Sequence, residues 1–67
     1  MVIELAEAIY LFEFKLNGRA EEALTQIKTS QYYARYQRQG KLLHLVGTNF
    51  DWQQRQVGEW RTETVAP

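Results

Sequence analysis

The sequence predicts the α/β (α+β) class, a small mixed sheet of about four strands covered by one helical layer. Short segments rich in β-branched and aromatic residues are separated by turn signals, and a segment of helical periodicity lies between the second and third of them. A chain of 67 residues hides only about 60% of the surface that its unfolded form exposes. We therefore expect residues 1–67 to form one minimal domain with a thin core.

The first two strands are predicted in "VIEL" (residues 2–5) and "AIYLFEFKL" (residues 8–16), where β-branched and aromatic residues are frequent. The tight connection between them comprises Ala6, Glu7 and Ala8. Because so short a connection joins antiparallel strands, the sequence predicts a hairpin here.

A helix is predicted next, over residues 19–29, with Asn17 or Gly18 as its cap. Glu21 and Glu22 then lie in the first turn, where the helix dipole favours acidic side chains. One apolar stripe follows helical spacing and comprises Ala20, Ala23, Leu24, Ile27 and Ala34. This stripe predicts the face that packs on the sheet.

The helical segment is predicted to break once. On an unbroken helix, Tyr32 and Tyr36 would fall on the side opposite Ile27. We therefore expect a break near Thr29 to Gln31 and a short second helix in "YYARYQ", after which Gly40 ends the helical part.

The third strand is predicted in "KLLHLVGTNF" (residues 41–50), which is apolar on both faces, as central strands are. After a turn around Asp51 to Gln54, "QVGEWRTETV" (residues 56–65) should pair back on it. Residues 9–47 then form a βαβ unit with parallel strands and a right-handed crossover.

One helical layer covers only one face of such a sheet. The other face, carrying Tyr10, Phe12 and Phe14 or their alternates, would be exposed in a monomer. Apolar patches of this kind usually mark an interface. We therefore expect a homodimer, since there is also no cysteine for a disulfide.

Charge and composition exclude several classes of partner. Eight basic residues balance eight acidic ones, so no global field favours nucleic acid or a membrane, and any such binding must be local. The N-terminus "MVIELAEAIY" carries acids where a signal peptide needs basic residues, and no apolar run approaches the ~20 residues of a membrane span. We expect a soluble cytoplasmic protein with no membrane partner.

The second strand contains one charged pair, Glu13 and Lys15, which point to the same face because strand side chains alternate. Burying ionised groups without partners costs several kcal/mol, a large part of a small domain's stability. Two interpretations follow: the pair is a local ion pair at a sheet edge, or it belongs to a site.

An ordered series of motifs favours a site: "FEFKLNG", "AEEALTQI", Tyr32 with Tyr36, "LVGTNF" and "EW". Together they resemble the C-terminal nuclease domain of the PD-(D/E)XK superfamily, in the branch often found behind an AAA-type ATPase in bacteria. The resemblance runs from about Ile3 to Glu63. It implies a restriction-endonuclease-like core, here lacking the family's N-terminal helix.

The resemblance also implies the site chemistry. In the family, an Asp on the strand before E-x-K and the Glu of E-x-K bind Mg²⁺ or Mn²⁺, an ion that prefers oxygen ligands. Carried over, the second ligand is Glu13, the carbonyl of Phe14 is a third, Lys15 handles the attacking water and Gln26 assists. No Asp precedes residue 51, so the candidates to replace the first ligand are Glu4 and, second to it, Glu7.

Two functions follow from these residues. The first is a Mg²⁺-dependent nuclease-like domain, an endonuclease that hydrolyses DNA phosphodiesters, with an ATPase partner implied by the family. The second is a non-catalytic remnant of the fold that serves as a dimerisation or interaction module. His44, single and set in an apolar strand, is interpreted as a satisfied or interfacial histidine.

Overall fold

The computed structural model describes all 67 residues and contains one four-stranded sheet. Its strands are β1 (Val2–Glu4), β2 (Ala8–Leu16), β3 (Leu42–Asp51) and β4 (Gln56–Val65), and they lie side by side in sequence order. The mixed four-stranded sheet confirms the predicted fold class and is compatible with a restriction-endonuclease-like fold.

The strand directions follow from the connections. β1 pairs with β2 as an antiparallel hairpin, and β3 pairs with β4 in the same way. β2 and β3, which are joined through the helices, run parallel. The predicted parallel βαβ unit is therefore confirmed, and β2 and β3 are the two interior strands.

The helical layer consists of α1 (Ala20–Lys28) and α2 (Gln31–Gln37). The predicted break between them is confirmed: the Ser30 hydroxyl accepts a hydrogen bond from the backbone N–H of Tyr33 over 3.1 Å and caps α2. Ser, with a short polar side chain, is well suited to this position.

Two details of the helical prediction were wrong. Ala34 is exposed rather than part of the packed stripe, because the break at Ser30 changes the phase of the second helix. Asn17 and Gly18 do not cap α1, whose N-cap is Arg19. Asn17 instead adopts a positive φ of 55° and accepts a hydrogen bond from the backbone N–H of Trp52 over 3.0 Å.

The core lies between the helices and one face of the sheet. It is a cluster of five buried residues, Ile9, Leu11, Ile27, Leu43 and Leu45. Burying each such side chain stabilises the fold by about 1.5–3 kcal/mol. Tyr33, Tyr36 and Leu24 pack against its margin and are only partly buried. The core is thin, as expected for this chain length.

The molecule is elongated, with extents of 40 × 20 × 15 Å. The α1 helix packs on β2, β3 and β4, whereas the opposite face of the sheet carries no helix. Neither helix has the length and apolar character needed to cross a membrane.

Candidate functional site

Glu13 and Lys15 lie on the face of β2 that the helices cover, and both are partly buried. Their neighbours on β3 are Gly47 and Asn49. β2 lies between β1 and β3, so its first part, up to Phe12, has a strand neighbour on both sides. β1, however, ends its pairing at Met1 opposite Phe12, so β2 is unpaired on that side from Glu13 onward.

The ion-pair interpretation of Glu13 and Lys15 was wrong. Lys15 Nζ turns to the helix and donates a hydrogen bond to Oε1 of Gln26 over 3.5 Å. The three ion pairs of the protein involve Glu59, Glu63 and Glu4 instead. The Glu13 carboxylate therefore has no protein cation as a partner.

A cleft of about 450 Å³ opens beside Glu13. Most of its lining is hydrophobic and includes Leu11, Ile27, Tyr32 and Tyr36, and Glu13 is the one acidic residue in it. An unpaired carboxylate in a largely apolar cleft is a group that can bind a cation or a hydrogen-bond donor from outside. Glu13 thus lines the cleft without a charged partner from the protein.

The carbonyl of Phe14 points past the end of β1. Phe12 O accepts a hydrogen bond from the Met1 amino group over 3.0 Å, so it faces β1. Carbonyls two residues apart in a strand point the same way, and the Phe14 carbonyl therefore faces the region past the end of β1. It has no strand partner there. The Phe14 carbonyl is therefore free of strand hydrogen bonds one residue along β2 from Glu13.

Glu4 is not part of this arrangement. The hairpin register pairs it with Ile9, four positions along β2 from Glu13, which is about 13 Å at the usual rise of a strand. Its carboxylate pairs with Lys41 Nζ at 3.4 Å. The expected convergence of Glu4 with Glu13 is therefore not found, because the tight hairpin fixes the register and places Glu4 beside the β1–β2 turn, far from Glu13.

No group of three or more His, Cys, Asp or Glu side chains converges in the structure. Of the predicted ligands, Glu13 and Phe14 follow each other in β2 just past the end of β1, whereas Glu4 lies elsewhere. The role of each remaining ligand stays a prediction.

Sequence reasoning missed the residues that hold α1 next to the site. Oε1 of Glu59 accepts a hydrogen bond from the backbone N–H of Ala20 over 3.0 Å, and Oδ1 of Asn49 accepts one from the Glu59 N–H over 2.7 Å. Gly47, beside Glu13, lets α1 approach β3 closely, since an added Cβ would lie 2.5 Å from the Ala20 carbonyl oxygen. These contacts are non-local, and the local pattern gave no signal for them.

His44 has a structural role, as interpreted. Its Nδ1 lies 3.2 Å from Oγ1 of Thr64, and its ring stacks on Tyr10 with ring centroids 4.6 Å apart. Tyr32, at the cleft, has the guanidinium of Arg35 over its ring at 5.8 Å. None of these groups joins Glu13 in a cluster of metal ligands.

Comparison with curated proteins and comparison with solved structures each gave no match. A family model, described as the PD-(D/E)XK nuclease superfamily, matches residues 1–60. The matched region contains β1, β2, both helices, β3 and the first half of β4, and hence the E-x-K strand and every residue of the cleft. The chain belongs to the PD-(D/E)XK nuclease superfamily.

Proposed function

We propose that this protein carries the E-x-K part of a DNA phosphodiesterase site. The observation that carries the proposal is the state of Glu13: it is unpaired, lines a cleft and lies at the end of β1 beside the open carbonyl of Phe14. Lys15, held by Gln26, adds a cation on the same face of the sheet, where it can attract a phosphate and orient water.

Nucleases of this superfamily generally use Mg²⁺ or Mn²⁺. Since residues 1–67 bring one carboxylate to the site, we propose that a second acidic group must come from outside them. The register identifies the position: Met1 pairs with Phe12, so a residue joined before Met1 would lie opposite Glu13. Directly opposed residues have Cβ atoms about 4.5–5.5 Å apart, close enough to share one ion.

The test is a protein extended by Met-Asp ahead of Met1, compared with a protein extended by Met-Asn. We expect Mg²⁺ and Mn²⁺ to raise the melting temperature of the Asp-extended protein, because a ligand at 100 times its Kd stabilises the fold by about 2.7 kcal/mol. The Asn-extended and the unextended proteins should show a much smaller shift. Calorimetric titration with Mn²⁺ measures the affinity directly.

Two further variants of the Asp-extended protein localise the ion. Glu13→Gln should abolish the metal effect, and Glu4→Gln should leave it unchanged, because Glu4 pairs with Lys41 far from the site. Supercoiled and single-stranded DNA then test cleavage. If the Asp-extended protein binds no metal, or if Glu4→Gln removes the effect and Glu13→Gln does not, the proposed site is refuted.

The second candidate is the non-catalytic interaction module. It is favoured by one observation, the absence of a second acidic residue from the lining of the Glu13 cleft. Metal binding without DNA cleavage in the Asp-extended protein would support this alternative, since the ion site would then lack the groups that hold a substrate.

A further inference from the structure

The sheet face opposite the helices, called the outer face, carries no charged side chain. It is formed by alternate residues of the three long strands: Tyr10, Phe12, Phe14, Leu16, His44, Val46, Thr48, Phe50, Val57, Trp60, Thr62 and Thr64. Every Asp, Glu, Lys and Arg of the strands lies on the helix-covered face instead: Glu4, Glu13, Lys15, Asp51, Glu59, Arg61 and Glu63. The two faces of one sheet thus differ completely in charge.

This segregation restricts what can cover the outer face. Nucleic acid requires Lys or Arg near its phosphates, and this face has neither. A charged protein surface would lose its hydration here without gaining a partner charge. A second copy of the same face, by contrast, brings no like charges together. The chemistry therefore favours self-association.

The outer face has both protruding side chains and a groove, so its shape could fit a second copy of itself. Phe14 and Trp60 are 56% and 70% exposed and stand on either side of Thr48, which is only 6% exposed. Between these two ridges lies an apolar groove of about 430 Å³, whose floor includes Val46 and Thr48. One face therefore presents both a protruding aromatic side chain and a groove that could receive one.

The available area is close to that of a stable dimer. Three strands about 30 Å long and about 4.8 Å apart present roughly 430 Å² of flat surface per copy. Protruding Phe14 and Trp60 add to this value, since an aromatic side chain has about 150–250 Å² to bury. Two copies would bury about 1,000 Å² or more, the lower bound for a specific interface.

We propose that a second copy of this chain covers the outer face, with the two sheets packed face to face around a two-fold axis. Trp60 of each copy occupies the groove beside Thr48 of the other, and the sheets lie about 10 Å apart. The contact is isologous, so it closes at two copies and leaves both helical layers and both Glu13 clefts facing solvent. It is independent of the proposed nuclease site.

The experiment uses the two tryptophans. Trp52→Phe leaves Trp60 as the single tryptophan. Its emission, excited selectively over that of tyrosine, should shift to shorter wavelength as the protein concentration rises from nanomolar to high micromolar. Sedimentation velocity should show a dimer over the same range. Trp60→Glu should sediment as a folded monomer, with its secondary structure checked by circular dichroism, because Trp60 contributes little to the monomer core.

The matched control is Trp52→Glu. Trp52 is 60% exposed but lies in the turn between β3 and β4, outside the groove. This variant should dimerise as the wild type does. A wild type that is monomeric at 100 µM with solvent-exposed Trp60 emission, or a Trp60→Glu variant that remains dimeric, overturns the proposal. Open-ended oligomers, or shielding of Trp60 only on phosphatidylcholine vesicles, would likewise overturn it.

Discussion

The backbone N–H of Ala20 donates a hydrogen bond to Oε1 of Glu59 over 3.0 Å, across 39 positions of sequence. This contact joins the first residue of α1 to the edge strand β4. It satisfies one of the N–H groups that a helix start leaves unpaired, with a negative charge that the helix dipole favours. Glu59 therefore takes part of the capping role that the sequence assigned to Asn17 or Gly18.

Replacement of Glu59 tests this cap. We expect Glu59→Ala to lower the free energy of unfolding by about 0.5–2 kcal/mol, as loss of an N-terminal cap does. Glu59→Gln keeps an acceptor oxygen of the same reach and should cost less. Urea unfolding monitored by circular dichroism measures both. Equal losses in the two variants would show that the charge, and not the hydrogen bond, is what matters.

Substitution of Gly47 tests the close approach of α1 to β3. An added Cβ would lie 2.5 Å from the Ala20 carbonyl oxygen and 2.8 Å from the Leu24 backbone nitrogen, and neither backbone atom can turn away. We expect Gly47→Ala to cost about 1–3 kcal/mol, as overpacking does, and to shift α1 relative to Glu13.

Gly40→Ala serves as its control, because no atom lies within 4 Å of the added Cβ there, although φ is +70°. That strain alone should cost about 1 kcal/mol. Thermal and urea unfolding compare the two variants. A Gly47→Ala protein as stable as the wild type would mean that the helix adjusts without loss.

Arg55 offers a stabilising change. It has a positive φ of 53° in the turn before β4, a conformation that costs an L-residue about 1–2 kcal/mol. Glycine removes this strain at a smaller entropic cost. We expect Arg55→Gly to raise the melting temperature by about 3–6 °C. Gln54→Gly, at a neighbouring residue without positive φ, should lower it. The reverse order would contradict the turn geometry.

Lys15 tests the proposed chemistry separately from ion binding. In the Asp-extended protein, Lys15→Ala should keep the metal-induced rise in melting temperature and lower DNA cleavage by about 100-fold or more, as loss of a general acid–base group does. Gln26→Ala, which removes the contact at 3.5 Å but keeps the amine, should lower cleavage less. Loss of metal binding in Lys15→Ala would contradict this division of roles.

The elements could be predicted because their signals are local. β-branched and aromatic content identified β2, and a run that is apolar on both faces identified β3. Ile27 and Tyr32 would fall on opposite sides of one unbroken helix, and this identified the break at which Ser30 caps α2. The cap of α1 could not be found in this way, since its acceptor lies in another strand. The exposure of Ala34 followed from the same break and could have been deduced from it.

Sequence reasoning located only the part of the candidate site that lies within one strand, because only that part has a local signal. Glu13 and Lys15 share a face because both lie in one strand, which the motif alone establishes. Glu4 was wrongly expected beside Glu13, although a tight hairpin pairs residues at equal distances from its turn. That rule sets Glu4 against Ile9 and would have placed the partner of Glu13 before Met1.

The parallel pairing of β2 with β3 has a consequence for the folding rate. Glu13 and Thr48, which meet across this pair, are 35 positions apart in the chain, and both helices lie between them. The loop-closure entropy must be overcome before these contacts form, whereas each outer hairpin closes locally. We therefore expect the β3–β4 hairpin and α1 to form early and the docking of β2 to limit the rate. Ile9→Val, which weakens the packing of β2, should therefore slow folding, whereas a variant that only speeds unfolding would show that β2 docks after the transition state.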